Sequence, residues 1–302
     1  MFSVLCILAA GVLWGCMGIL TRTMNEGGFL PLEVTAFRTF VTMVFMLLIM
    51  LCFKRKELKI KPKDIWVFVG TGIISVVFFN VCYFTCMTLT TLSTAAILLY
   101  TAPAFVTVMS VIIFKEKLTF RKIIGVCLAF AGCILVSGGF NAKTLGVMGI
   151  LTGLGAGIGY ALYSIFSRFA INRGYSSFTI TTYTFLFATA GCLPFIKPAH
   201  LYSCLVANPV KIPLYVVLVF FNTIAAYICY TKGLDGLENS TASVIASIEP
   251  VVATMVGIFV YREKTSIAGI VGMALVLSSC TIVGLASKKS EKRRAHKVEN
   301  ME

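Results

Sequence analysis

The chain has 302 residues, 58% of them hydrophobic and only 13% charged, with a net charge of +14 and a mean hydropathy of +0.94. Soluble domains carry about 25% charged residues, so this composition excludes a water-soluble globular protein. The basic residues sit between apolar runs, which reads as a membrane-surface signature and not as a nucleic-acid footprint.

Residues 2–21 carry no charge and are long enough to cross a bilayer, which takes about 20 apolar residues. A second run, 32–53, holds Arg38, and a basic loop follows at 54–63. From 65 to 114 there is no Asp, Glu, Lys or Arg. As one helix this stretch would reach ~75 Å, far more than the ~30 Å apolar core of a bilayer, so it must fold back. The polar cluster at 85–94 marks the turn between a third and a fourth span. Further spans are expected near 123–137, 145–167, 176–196, 212–230, 241–261 and 266–286, which makes ten. The tail from Lys288 has no apolar run and reads as disordered.

Residues 93–136 recur at 240–283 without a gap, shifted by 147 positions, and twelve of the 44 pairs are identical. Ser93-Thr94-Ala95 falls on Ser240-Thr241-Ala242, Pro103 on Pro250, Glu116-Lys117 on Glu263-Lys264, Gly125 on Gly272 and Cys133 on Cys280. Fainter traces extend the match. Trp14-Gly15 through Arg22 resembles Tyr160-Ala161 through Arg168 at an offset of 146, and Cys82-Tyr83 falls on Cys229-Tyr230. Each copy holds five spans, and an odd number sends the second copy through the membrane in the opposite sense. The expected fold is therefore an all-α polytopic membrane protein of ten transmembrane helices in two inverted five-helix repeats, 1–137 and 138–286, with a basic tail at 287–302. With the N-terminus inside, nineteen Lys and Arg fall on the inner side and six on the outer. That asymmetry places both termini in the cytoplasm and the chain in the plasma or inner membrane.

Ala96, Tyr100, Pro103 and Thr107 share one face of the fourth span, and Ser243, Ser247, Pro250 and Thr254 share the matching face of the ninth. Two readings stand. The hydroxyls could line a shared polar cavity, or each could bond its own helix or a neighbour. Pro103 and Pro250 each remove an internal hydrogen bond and should bend their helices. Trp14, Tyr83, Tyr100, Tyr160, Tyr163 and Tyr227 offer faces to apolar or cationic groups, although aromatics also collect at membrane interfaces. Asn80 and Asn222 need polar partners, from a cavity or from a neighbouring helix.

Two charges fall within spans, where each costs about 2.5–3.5 kcal/mol at mid-bilayer on insertion scales. Glu249 could take a proton, hold a substrate ammonium or bond a neighbouring helix. An ideal helix puts it about 200° from Ser247, off the hydroxyl stripe. Arg38 could snorkel outward or meet a carboxylate or an anionic substrate group. Glu116 and Glu263 read as architectural. The eleven cysteines lack zinc spacing and read as small packing residues, and Gly149, Gly153 and Gly157 as a close-packing strip. Histidine occurs only at position 200, expected in a loop, and position 296, in the tail, and no nucleotide-binding loop is present. Neither metal, cofactor nor enzyme chemistry is therefore expected.

Trp14-Gly15, Phe37-Arg38 and the two blocks, Ser93-Thr94-Ala95 to Gly125 and Ser240-Thr241-Ala242 to Gly272, together resemble the ten-helix EamA-type exporters of the drug/metabolite transporter superfamily, over residues 2–286. Ser279, where the first copy has Gly132, departs from the pattern. The resemblance implies paired inverted repeats, a cavity lined mainly by spans 1, 3, 4, 6, 8 and 9, alternating access, and export of small metabolites, often amino acids. The function expected is secondary-type export of small amphipathic metabolites, amino acids first. Its substrate site would draw on Trp14, Asn80, Tyr83, Tyr100, Thr107, Tyr160, Tyr163, Asn222, Tyr227, Ser243, Ser247 and Glu249, with Pro103 and Pro250 as hinges. The alternatives are a multidrug or quaternary-cation carrier, a nucleotide-sugar carrier of the same superfamily, or, in another class, an intramembrane enzyme. Expected partners are a small-molecule substrate and the lipid bilayer, without nucleic acid. Proton coupling and a homodimer stay open.

Overall fold

The computed structural model describes residues 1–138 and 146–299, with side chains through residue 285. Ten long helices follow one another: α1 Phe2–Glu26, α2 Pro31–Phe53, α3 Pro62–Leu89, α4 Leu92–Phe114, α5 Phe120–Val136, α6 Val147–Ile171, α7 Ser177–Phe195, α8 Pro209–Gly236, α9 Asn239–Tyr261 and α10, whose apolar part is Ile267–Leu285. Nine of these, among the described residues, are long and apolar enough to cross a membrane; α5, with 17 residues, falls just short.

The fold-back expected at 85–94 is a two-residue turn at Thr90-Thr91, where the Thr91 hydroxyl accepts from the Thr94 amide at 3.1 Å and caps α4. Two expectations need correction. As far as Glu299 the tail is helical, since α10 continues to that residue, and 300–302 lie outside the described residues. A helix already nucleated adds residues without needing an apolar face of its own. His200 lies in a short helix, Pro198–Ala207, and not in a loop. Its Nδ1 stands 2.9 Å from both carboxylate oxygens of buried Glu33, which fastens this connector to α2.

The basic connector before α3 is held to the start of α7. The Ser176 hydroxyl donates to the Glu57 carboxylate, Thr179 donates to the Glu57 carbonyl at 3.0 Å and Tyr183 to the Leu58 carbonyl at 2.7 Å. Hydrogen bonds from Lys54 first, then Ser176, hold the Glu57 carboxyl below the usual range.

Packing pairs one helix from each half of the chain. α5 lies along α10, α2 against α7 and α4 against α9, while α3 packs on α6 and α1 on α8. Exchanging each helix for the one five places along leaves this pattern unchanged. Local conformation repeats as well. α4 breaks between Leu99 and Ala102, and α9 between Ala246 and Glu249, 147 positions on. Both end in a left-handed residue, Lys115 and Arg262, each at φ 55°. Both α3 and α8 contain a π-helical stretch, Gly70–Val77 and Phe220–Ala225.

The breaks follow from the prolines. Pro103 and Pro250 stand second in the restarted segments. A proline has no N–H and its ring crowds the preceding turn, so the Leu99 and Ala246 carbonyls lose their usual helical donors. The bend therefore appears two residues upstream of each proline, as a full break. A glycine on the neighbouring helix fits against it. A β-carbon on Gly11 of α1 would lie 3.0 Å from the Ala246 oxygen, and one on Gly157 of α6 would lie 3.4 Å from that of Leu99.

Candidate functional site

A cavity of about 460 Å³ opens among α1, α2, α3, α4, α6, α8 and α9, within the range of small-molecule pockets. α2 is the wall that the family resemblance did not name, and it contributes Arg38. The cavity reaches one end of the bundle, where Arg22, Asn25, Leu92 and Tyr261 line its mouth. Aromatic rings pave the rest. Trp14 lies 5.3 Å from Tyr227 and 5.0 Å from Tyr230, Tyr163 meets Tyr227 edge-on at 4.9 Å, and Phe79 stacks on Tyr83 at 5.7 Å. Two of the hydroxyls are tied down: Tyr230 pairs with Ser164 at 2.6 Å and Tyr163 with Thr231 at 3.3 Å. The result is a stiff apolar surface with polar rims.

Below the mouth, two charged residues face this space. Arg38 is only 8% exposed, its Nη1 lies 3.3 Å from the Met17 sulfur, and its Nε has no partner. The side chain does not snorkel. Glu249 accepts from the Tyr160 hydroxyl at 3.4 Å. Among the described residues, no ion pair joins Arg38 or Glu249 to any opposite charge. A buried charge without a counter-charge is costly.

Eight of the expected residues line the cavity: Trp14, Asn80, Tyr83, Tyr100, Tyr160, Tyr163, Tyr227 and Glu249. Ser243, Ser247 and Pro103 line a recess of about 10 Å³, room for a water-sized group, which shares Tyr100, Tyr160 and Glu249 with it. The serine and threonine hydroxyls bond their own helices, Ser243 to the Ser240 carbonyl at 3.0 Å, Ser247 to that of Ser243 at 3.2 Å and Thr107 to that of Pro103 at 2.8 Å. Asn80 is satisfied by Val76 and by Thr35, which donates to its Oδ1 at 3.0 Å.

Three expected residues stand off the walls. Thr107 is buried one turn beyond the break, bonded to its own helix. Asn222 serves a neighbouring helix, donating at 3.3 Å to the carbonyl of Cys16, where α1 itself is interrupted. Pro250 is buried and shapes the break from behind, while its carbonyl accepts from Thr254.

The position of Glu249 corrects the helical projection. Because α9 stops at Ala246 and restarts at Glu249, the acid opens a new helix and faces the same recess as Ser243 and Ser247. Among residues not picked for the site, Tyr230 was marked by the repeat as the counterpart of Tyr83, and both line the cavity. Phe79 and Thr35 carried no sequence signal.

The EamA-like transporter family profile matches this chain twice, at residues 1–138 and 147–285. The uncharacterized transporter YwfM of Bacillus subtilis strain 168 is 25% identical over 290 residues, covering 96% of each chain. YetK of the same organism, also an uncharacterized transporter, is 21% identical over 259 residues, covering 84% of this chain and 78% of the relative. A solved crystal structure shares the fold, with a TM-score of 0.75 at 20% identity over 96% of this chain and 98% of the other. A chain of many apolar helices around a solute-sized cavity, matched by the family profile in both halves, is a multi-pass membrane protein that belongs to the EamA-like transporter family.

Proposed function

We propose that the protein is a secondary-type transporter that exports small zwitterionic metabolites, amino acids first, by alternating access. One observation carries this reading: an aromatic cavity exposes one buried cation, Arg38, and one carboxylate, Glu249, neither of them in an ion pair. A carboxylate on the solute suits the guanidinium, an ammonium suits Glu249, and the rings of Trp14, Tyr160 and Tyr227 suit the side chain between them. A permanently cationic drug would gain from Glu249 and the aromatics but meet repulsion from Arg38. A phosphate-bearing sugar nucleotide would find a single arginine at this depth.

Two repeats of opposite sense, 1–137 and 138–286, are supported by the helix pairing that survives exchange of the halves and by the matched breaks in α4 and α9. The excess of Lys and Arg on one side favours cytoplasmic termini, in the cell membrane. Glu249 is the group through which proton coupling would act, since it is the only acid on the cavity wall among the described residues.

The test is flux in proteoliposomes against amino acids, amines and dyes, with and without an imposed proton gradient. Competition by zwitterions over simple amines is the expected outcome. Transport of dyes with no response to amino acids would replace this reading with the drug-carrier one.

A further inference from the structure

Opposite the cavity mouth, Glu116 reaches from the end of α4 to the start of α9. Its carboxylate accepts from the Asn239 amide at 2.7 Å, from the Ser240 amide at 3.3 Å and from the Ser240 hydroxyl. These are the amides that a helix leaves without internal partners, at the positive end of its dipole. Lys122 of α5 bridges Glu116 at 3.5 Å and Glu238 at 2.6 Å. Arg168 of α6 donates to the Leu237 carbonyl and, at 2.8 Å, to Asn239 Oδ1. Helices α4, α5, α6 and α9 and the connector from α8 are thus drawn together at this end, with the Glu116 side chain only 8% exposed.

At the open end the corresponding residues are present but apart. Glu263 lies 147 positions after Glu116, Arg22 lies 146 before Arg168, and Leu92-Ser93 lie 147 before Asn239-Ser240. Glu263 leaves its helix as Glu116 does: its amide bonds the Gly257 carbonyl at 3.0 Å, and that of Glu116 bonds Ser110 at 3.2 Å. Yet Glu263 holds only Arg22, at 2.5 Å, with both side chains about half exposed and Arg22 lying over the Tyr261 ring. Among the described residues no carboxylate reaches the Leu92 or Ser93 amides, and Leu92 is 59% exposed at the mouth.

We infer that Glu116 and Glu263 are alternating latches, each capping the broken helix across from it when its own end of the cavity is shut. In the conformation described, Glu116 is latched on α9. In the opposite conformation Glu263 caps α4 at Leu92-Ser93, the Ser93 hydroxyl takes the part of Ser240, and Arg22 reaches the Thr90 carbonyl as Arg168 reaches that of Leu237. The position matching Lys122 is Gly269, so the latches are unequal and the Glu116 end is the one favoured shut at rest. The inference rests on the alternating-access reading, and its test needs no substrate.

Hydrogen–deuterium exchange is followed on the full chain in lipid nanodiscs. E116Q should speed exchange of the amides at 239–242 about ten- to a hundredfold, the scale of hydrogen bonds to a charged group, and slow those at 92–95. Adding E263Q should remove that slowing. E263Q alone alters only an exposed ion pair, so the fold survives, and it should slow exchange at 239–242. Faster exchange at 239–242 with 92–95 unchanged would make Glu116 a plain helix cap and overturn the latch. Slowing at 92–95 that persists in the double variant, or E263Q identical to wild type at 239–242, would do the same. Proteoliposome flux reports separately on transport itself, so either idea can fail alone.

Discussion

Helices α4 and α9 break after equal lengths, restart with proline in second place and end in a left-handed residue. At the break they differ: α4 presents Tyr100-Thr101-Ala102 and α9 presents Ser247-Ile248-Glu249. The path of the chain is set by the prolines and by the missing β-carbons of Gly157 and Gly11, which both copies share. The side chains at the break are not needed for that path and have diverged. One copy supplies an aromatic ring to the recess and the other a carboxylate. The same shape occurs twice, and the charge once.

The largest effects should come from the divergent residues. Glu249→Gln should abolish any pH dependence of transport and lower the flux of solutes bearing an ammonium. Unchanged pH dependence would return Glu249 to a structural part. Ala102 lines the same recess, so A102E placed in an E249A chain should restore part of the flux; no recovery would show that the two breaks are not interchangeable. Next, Trp14→Ala and Tyr100→Ala should each reduce flux on the order of tenfold, the scale of losing a large buried contact, with protein still in the membrane. Wild-type flux would remove them from the site.

The shared features should respond to substitution equally. Gly11→Ala and Gly157→Ala should each destabilise by about 1–3 kcal/mol, read as thermal unfolding in detergent, because a β-carbon would press on Ile248 in one case and Thr101 in the other. A large difference between the two would mean that the breaks are not packed alike. The smallest effect should be at the connectors, where the halves differ most. Glu57 is held below the usual carboxyl range when folded. Its contribution is present above the unfolded pKa and is lost as pH falls through the folded one. Glu57→Gln should flatten that acid limb of the stability curve by lowering stability slightly at neutral pH, with little change below the folded pKa.

Apolar run length located the helices, and the 147-residue offset located both breaks, because each depends on local chemistry: lipid solubility in one case and a missing N–H in the other. Glu249 was misplaced because a helical projection presumes the continuous helix that Pro250 prevents. Thr107 and Asn222 have the composition of cavity residues but satisfy carbonyls, one on its own helix and one on α1. Hydroxyls and amides in lipid must bond something, and sequence does not say what. Arg38 was visible as a charge, while its inward aim depends on the packing of α2. The Glu116 contact with α9 spans 123 residues, a distance at which no local pattern operates.

Among the described residues, none from α5 or α10 lines the cavity. These two helices instead meet backbone to backbone, since a β-carbon on Gly132 would lie 2.7 Å from the Gly272 oxygen and one on Gly272 would lie 2.6 Å from that of Gly132. Surfaces that close cannot roll or slide past each other without first separating. If the two halves rock as the proposed alternating access requires, they need a fulcrum, and this seam is the place where displacement would be least and leverage on the far helices greatest. Bulk added there should slow turnover while leaving the order of competing solutes as it was.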